Sequence, residues 1–242
     1  VNGELAFENT ELYYPDLGYQ LDAINGVMSF TNDSVFADSI GAYMNGSPIS
    51  IAAVTEEGDS GQQIAFQLDG VMDVDYLLLS YKNIVESWLS GSSNFSIKLA
   101  APEVPKDYLV HVDIKSQLDG VVIKLSDKVS KAAAEKLPFA MQIDVLDHGD
   151  LRIESSLIAD KPNKGANLVG ETNKVVDLFA VRNGEKLWTV DIISQYMTGN
   201  AEFTEGLGKD TEAKLDLDEI DLHAMFVSTK SKGGEPLLPT DF

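Results

Sequence analysis

The sequence contains no cysteine. That excludes disulfides, thiolate metal centres and a cysteine nucleophile, and it fits a reducing cytosol and an oxidising envelope equally well. Basic residues are scarce: 18 Lys and Arg stand against 39 Asp and Glu, for a net charge of −21. A nucleic acid or an anionic membrane surface would be repelled by such a chain, so neither duplex binding nor adhesion to lipid headgroups through a basic patch is expected. No run approaches the ~18 consecutive apolar residues that a spanning helix needs. The start, Val1-Asn2-Gly3-Glu4, is neither basic nor followed by an apolar core, so no signal peptide is read there. With no initial Met and an abrupt end at Pro239-Thr240-Asp241-Phe242, the chain reads as a fragment of a longer protein.

Histidine is equally sparse. His111, His148 and His223 are far apart and form no H-x-x-x-H pair, and surface or turn positions are expected for them. The acidic run Asp216-Leu217-Asp218-Glu219-Ile220-Asp221 has no glycine at a sharp turn, as a calcium loop would require. Its alternation with Leu215 and Leu217 fits a strand with a solvated acidic face. Gly206-Leu207-Gly208-Lys209 lacks phosphate-loop spacing, and Gly91-Ser92-Ser93-Asn94 is not a nucleophile elbow. Trp88 and Trp188 read as core or groove-lining residues. No catalytic residue, metal site or cofactor is expected, and no enzyme activity.

What is abundant is alternation. Apolar residues make up 44% of the chain, enough for a large buried face. Over residues 1–72, Leu5 and Phe7, Met28 and Phe30, Ile49 and Ile51, and Ile64, Phe66 and Leu68 alternate with small or polar neighbours. Turn signals at Tyr14-Pro15-Asp16, Thr31-Asn32-Asp33, Asn45-Gly46-Ser47-Pro48 and Glu57-Gly58-Asp59 predict an antiparallel meander. Over 73–91 the period changes to 3.6, with Leu77, Leu78, Tyr81, Val85 and Trp88 on one stripe, which predicts a helix of about four turns. Strands are expected again over 92–125, broken at Pro102 and Pro105. Over 126–137 the alanines, a capping Ser126 and a terminating Pro138 predict a short helix. Strands and loops fill 138–242, including Phe139–Val145 and a bulge near Asp218-Glu219 that keeps Leu217 and Ile220 in phase. Asp160–Gly165 is predicted to be a loop.

Ser116-Gln117-Leu118-Asp119-Gly120-Val121-Val122-Ile123-Lys124-Leu125 reads as strand, Asp-Gly turn and strand. Looser copies follow the same pattern of apolar residue, small polar residue and glycine: Val1-Asn2-Gly3, Ile24-Asn25-Gly26, Leu68-Asp69-Gly70 and Met197-Thr198-Gly199. Each fits a hairpin turn, or a bulge within a longer strand. The strands share one long apolar face that two helices cannot cover. That face must meet a second sheet, curl on itself or hold something apolar.

An ordered series of short motifs resembles a known family. It begins with Gly3-x-x-x-Phe7-x-x-x-x-Leu12-x-Tyr14-Pro15, Ile24-Asn25-Gly26-x-x-x-Phe30, Ile40-x-Ala42 and Gly46-x-Pro48-Ile49. Trp88-Leu89-Ser90-Gly91, Phe95-x-Ile97, Ile114-x-Ser116-x-Leu118-x-Gly120-Val121-x-Ile123-x-Leu125, Lys131 and Leu137-Pro138-Phe139 follow. Trp188-x-Val190, Gly199-x-Ala201-x-Phe203, Leu215-x-Leu217-x-x-Ile220-x-Leu222 and Pro239-x-x-Phe242 complete it. The series resembles the AsmA-like region of bacterial envelope proteins of the YhdP type. It departs from that pattern at Leu125-Ser126-Asp127-Lys128, where the family carries Leu-Pro-x-Pro.

The resemblance implies a mostly β fold: one elongated, twisted antiparallel sheet curled into a taco-like groove, spanning residues 1–242 as a single segment. It implies a periplasmic segment of a protein anchored in the inner membrane, guiding phospholipid acyl chains toward the outer membrane. The remainder of the parent chain would be its neighbour. The residues expected to line the groove are Leu5, Phe7, Met28, Phe30, Ile49, Ile51, Phe66, Val112, Ile114, Val121, Ile123, Met141, Ile143, Val190 and Ile192. The alternative is a β-sandwich binding or scaffold module without lipid, in which those residues form a closed core.

Overall fold

The computed structural model describes residues 2–14, 19–58, 61–74, 89–105, 107–124, 130–158, 174–184, 187–194, 197–204 and 213–220. They form a mostly antiparallel sheet. The first five strands are a meander: β1 (Gly3–Tyr14), β2 (Tyr19–Phe30), β3 (Val35–Met44), β4 (Ser47–Gly58) and β5 (Gly61–Asp73). Each pairs with the next, as alternation and turn chemistry predict. The β3–β4 turn shows why the spelling matters. Asn45 (φ 48°) and Gly46 (φ 84°) both take the left-handed conformation that a two-residue hairpin requires, and Met44 pairs directly with Ser47.

Then come β6 (Leu89–Pro102), β7 (Val110–Ser116), β8 (Val121–Lys124), β9 (Ser130–Lys131) and β10 (Phe139–Val145). A 3-10 turn at Asp147–Gly149 leads to β11 (Leu151–Ile158). β12 (Lys174–Arg182), β13 (Leu187–Ser194), β14 (Met197–Thr204) and β15 (Ala213–Ile220) complete the chain's described strands. The main path runs β1-β2-β3-β4-β5-β6-β7-β10-β11-β12-β13-β14-β15. Among the described residues its two ends do not meet, so the sheet is open.

Two sequence expectations are corrected. Ser116–Leu125 is not a hairpin. β7 and β8 both pair antiparallel with β6 and therefore run in the same direction. Ser116 faces Phe95 and Val121 faces Gly91, so residues 117–120 stand opposite 92–94, one extra residue on one side. The Asp-Gly pair does make a turn, closed by Val121 N–H donating to Leu118 O at 3.2 Å. It re-aims one strand as a bulge instead of reversing it. Gly91 (φ 103°) and Gly120 (φ 93°) meet there backbone to backbone, and a Cβ on either would run into the other strand.

The short helix over 126–137 is also not formed where the chain is described; residues 125–129 lie outside it. Ser130 and Lys131 pair with Lys124 and Ile123. A single turn follows, held by Glu135 N–H to Ala132 O (3.0 Å) and Ala132 N–H to the Glu135 carboxylate (2.8 Å). Ala132, Ala133 and Ala134 are all exposed. Alanine propensity alone cannot hold so short a helix without an apolar face to pack, and strand pairing prevails.

Of the longer helix over 73–91, residues 75–88 lie outside the described residues; Asp73 ends β5 and Leu89–Gly91 open β6. Asp160–Gly165, Gly206–Lys209, His223 and the chain beyond Ile220 also lie outside them. At three of the glycine motifs the second reading, a place within a longer strand, is the one found. Gly26, Gly70 and Gly199 sit inside β2, β5 and β14. At the first, a double bulge is stitched by Asn25, whose Oδ1 accepts from Asn9 N–H (2.9 Å) and whose amide donates to Ala23 O (2.6 Å). The predicted bulge in β15 is present: Thr198 pairs with Glu219 and Gly199 with Leu217, leaving Asp218 extra.

Candidate functional site

Cross-strand register turns the alternation into rows. Directly paired residues point to the same side of a sheet, so each row can be followed from strand to strand. One runs Ala37, Ala53, Phe66, Leu99, Val112, Ile143, Ile153, Ala180, Val190, Ala201, Leu215, from β3 to β15 without a polar residue. Beside it runs Ile40, Ile51, Leu68, Ile97, Ile114, Met141, Ser155, Leu178, Ile192, Gly199, Leu217. A third begins Ala42, Ile49, Gly70, Phe95. At the first strands Leu5 pairs with Met28, Phe7 with Gly26, and Phe30 with Val35.

Thirteen of the fifteen residues expected to line a groove therefore share one face: Leu5, Phe7, Met28, Phe30, Ile49, Ile51, Phe66, Val112, Ile114, Met141, Ile143, Val190 and Ile192. Val121 and Ile123 stand apart, beyond the bulge, in a patch formed by β8, β9 and the first residues of β6. Val121 is completely buried there. Beside it Lys131 is buried too, its ammonium donating to Val121 O at 2.7 Å and Ala132 O at 3.2 Å. Burial lowers the pKa of this lysine, and the charges of Glu135 and Asp119 oppose the shift.

The apolar face has a continuous packed region. Ile24, Ala37, Ile40, Ala42, Ile49, Ala53 and Phe95 are buried in one cluster, with Phe7, Met28, Ile51, Phe66, Leu68 and Ile97 against it. Over β3 and β4 this face is the more protected, whereas on β5 and β6 Ala65 and Ala100 of the opposite face are buried as well. Ala37 is 2% exposed and its chain neighbour Phe36 57%; Ala53 is 2% exposed and Val54 41%.

The opposite face is polar and carries its own networks. Glu56 bonds Lys98 at 2.7 Å and accepts from the Gln63 amide at 3.0 Å. The Lys98 hydrogen bond, then that of Gln63, holds the Glu56 carboxyl below the ordinary glutamate range. His111 Nδ1 lies 2.6 Å from Asp144, its Nε2 3.4 Å from Asp113, and the Tyr108 ring packs 5.3 Å away. Arg152 reaches the other Asp144 oxygen at 3.5 Å. His111 thus sits on a strand surface, but engaged by carboxylates; His148 lies exposed in the 3-10 turn. A depression of about 490 Å³ on this face is lined by Asp113, Lys115, Gln142, Glu154, Asp177 and Asp191 among others. Asp216 and Asp218 are exposed on β15. No grouping of three His, Asp or Glu that could hold a metal occurs among the described residues.

A family model described as "YhdP protein" matches residues 1–185. The chain belongs to the YhdP family. This is a family of envelope proteins, and the match covers β1 to β12. Residues 186–242 lie beyond it, yet β13, β14 and β15 carry the same apolar rows onward. No curated protein and no solved structure matches the chain. No helix among the described residues is long and apolar enough to cross a membrane.

Proposed function

We propose that this YhdP-family chain is a segment of a bridge-like lipid conduit. In this reading it belongs to an inner-membrane-anchored protein that crosses the periplasm, and its sheet curls about the apolar face into a taco-like groove. Phospholipid acyl chains lie along the rows while headgroups stay at the polar mouth. The mechanism is passive and needs no catalytic group, metal or cofactor.

One observation carries the reading: an apolar row from Ala37 to Leu215 passes through eleven successive strands of the main path without interruption. Rows run across the strands, so they extend along the length of the sheet rather than across its width. The protection of Ala37 and Ala53 relative to Phe36 and Val54 supports curvature toward that face at β3 and β4. A two-sheet sandwich would need a second large sheet, and the described strands form one open path.

The test is site-specific photo-crosslinking in cells, with the full-length protein. Crosslinkers at Phe66 and Ile143, on the row, are expected to capture phospholipid. Crosslinkers at their chain neighbours Gln67 and Gln142, on the other face, are not. Equal capture from both faces, or none at Phe66 and Ile143, refutes the conduit.

A further inference from the structure

The polar face of β1–β5 has an apolar island. Phe36 pairs directly with Val54, and Val27 lies two residues along β2 from Ser29, the partner of Phe36. All three are exposed, at 57%, 41% and 50%. Tyr43, 47% exposed, lies further along the same side of β3. These side chains face away from the apolar rows, so the lipid reading does not use them.

The charge around the island has one sign. Residues 1–81 hold thirteen Asp and Glu and no Lys, Arg or His. Register places Glu4, Asp22, Glu56 and Asp69 on the island's side of the sheet. The cation bonded to one of these is Lys98, reaching over from β6 to Glu56. Among the described residues no cation is paired with Glu4 or Asp22.

We propose that this face is a docking surface for a basic, amphipathic segment of a partner protein. The partner's apolar side chains cover Val27, Phe36 and Val54, and its Lys or Arg residues answer Glu4 and Asp22. Charge selects this occupant. An anionic bilayer or a nucleic acid would meet an acidic face with no basic residue among the first 81. An acidic partner, including a second copy placed face to face, would be repelled. An exposed apolar patch rimmed by polar residues is the form that interaction sites take, and a basic amphipathic helix supplies both complements.

The probe is a synthetic 18-residue helical peptide with leucines on one face and lysines on the other. Its control replaces every lysine by glutamate. Binding to the full-length protein is followed by calorimetry. The lysine peptide is expected to bind and the glutamate peptide not. Because any acidic protein attracts a basic peptide, the deciding variant is F36S/V54S, which leaves the charge unchanged. It should weaken binding at least tenfold. E4Q/D22N should weaken it several-fold at low salt and less at high salt. All four positions are on exposed or half-exposed strand surface, and urea midpoints verify that the variants fold. Binding by F36S/V54S equal to that of the unsubstituted protein overturns the proposal, as does equal binding of the glutamate peptide.

Discussion

Replacing Ile51 by lysine separates folding from passage. Ile51 lies in β4 between Ile40 and Leu68 on the apolar face and is half-buried. Full burial of an isoleucine is worth roughly 1.5–3 kcal/mol, so a half-buried one contributes about half of that. The lysine stem recovers part by lying along the same surface. A loss of about 1 kcal/mol is small against a stability of roughly 5–15 kcal/mol, so I51K should fold. For a passing acyl chain the change is larger. If about four methylenes are left without an apolar neighbour at ~0.8 kcal/mol each, the step over β4 rises by roughly 3 kcal/mol. That slows it about a hundredfold. S50K is the control, since Ser50 is exposed on the opposite face one residue away. The assay places photo-crosslinkers at Met28 and Ile143, on either side of β4, and follows capture of pulse-labelled phospholipid. In I51K the two captures should become unequal by tenfold or more; in S50K they should not. A folded I51K with equal capture at both sites, or an S50K with the same block, would refute the reasoning.

Close packing at Gly70 and burial of Lys131 each lead to a stability prediction. A Cβ at Gly70 would lie 2.7 Å from the Ile49 side chain and 2.8 Å from Pro48 O, so G70A should cost about 1–3 kcal/mol by overpacking, read from urea midpoints. Lys131 has a folded-state pKa below its ordinary 10.5 because it is buried. Between those two values the unfolded chain binds more protons, so stability must rise with pH across that window. Relative to K131M, the unsubstituted protein should gain stability as pH climbs toward 10.5; parallel stability–pH curves for the two would overturn this account.

The strands were legible because a sheet with one apolar face writes a period of two into the sequence. Phe139–Val145 shows it cleanly: the alternation and the observed β10 have the same bounds. The phase slip before Ile220 located a bulge for the same reason, since Asp218 is the residue that restores the face. At Asp119-Gly120 the local signal was ambiguous. Left-handed backbone serves a hairpin and a bulge alike, and the choice depends on β6, which offers Gly91 to meet Gly120. The alanines after Lys131 favoured a helix, but Lys131 itself was claimed by pairing with Ile123 and by the carbonyl of Val121. The polar-face features were hidden by separation. His111 and Asp113 alternate visibly, whereas Asp144 reaches His111 from 33 residues away. Phe36 and Val54 occupy slots that a two-period reading treats as outward, and only register reveals that they pair.

The rows also explain why no pocket is needed for the proposed passage. From β3 to β15 the main path contains ten strand spacings, about 48 Å of apolar track at ~4.8 Å each. A closed pocket burying a sixteen-carbon chain at ~0.8 kcal/mol per methylene would gain about 13 kcal/mol and hold it with nanomolar or tighter affinity. On a uniform track, the apolar surface an acyl chain leaves behind is matched by equivalent surface ahead of it. The barrier to a step is then set by the unevenness of the surface rather than by its total attraction. Phe66, Leu99, Val112, Ile143 and Ile153 give five adjacent strands of large side chains, and Ala180, Val190 and Ala201 lower the floor again. The bulges serve the same end. Each inserted residue changes the parity of a strand, and the extra Asp218 keeps Ile220, which pairs with Met197, in phase with Leu217. Register is thus the quantity under constraint in this sheet. A one-residue deletion in any strand of the path would turn a stretch of track into polar surface and stop passage there.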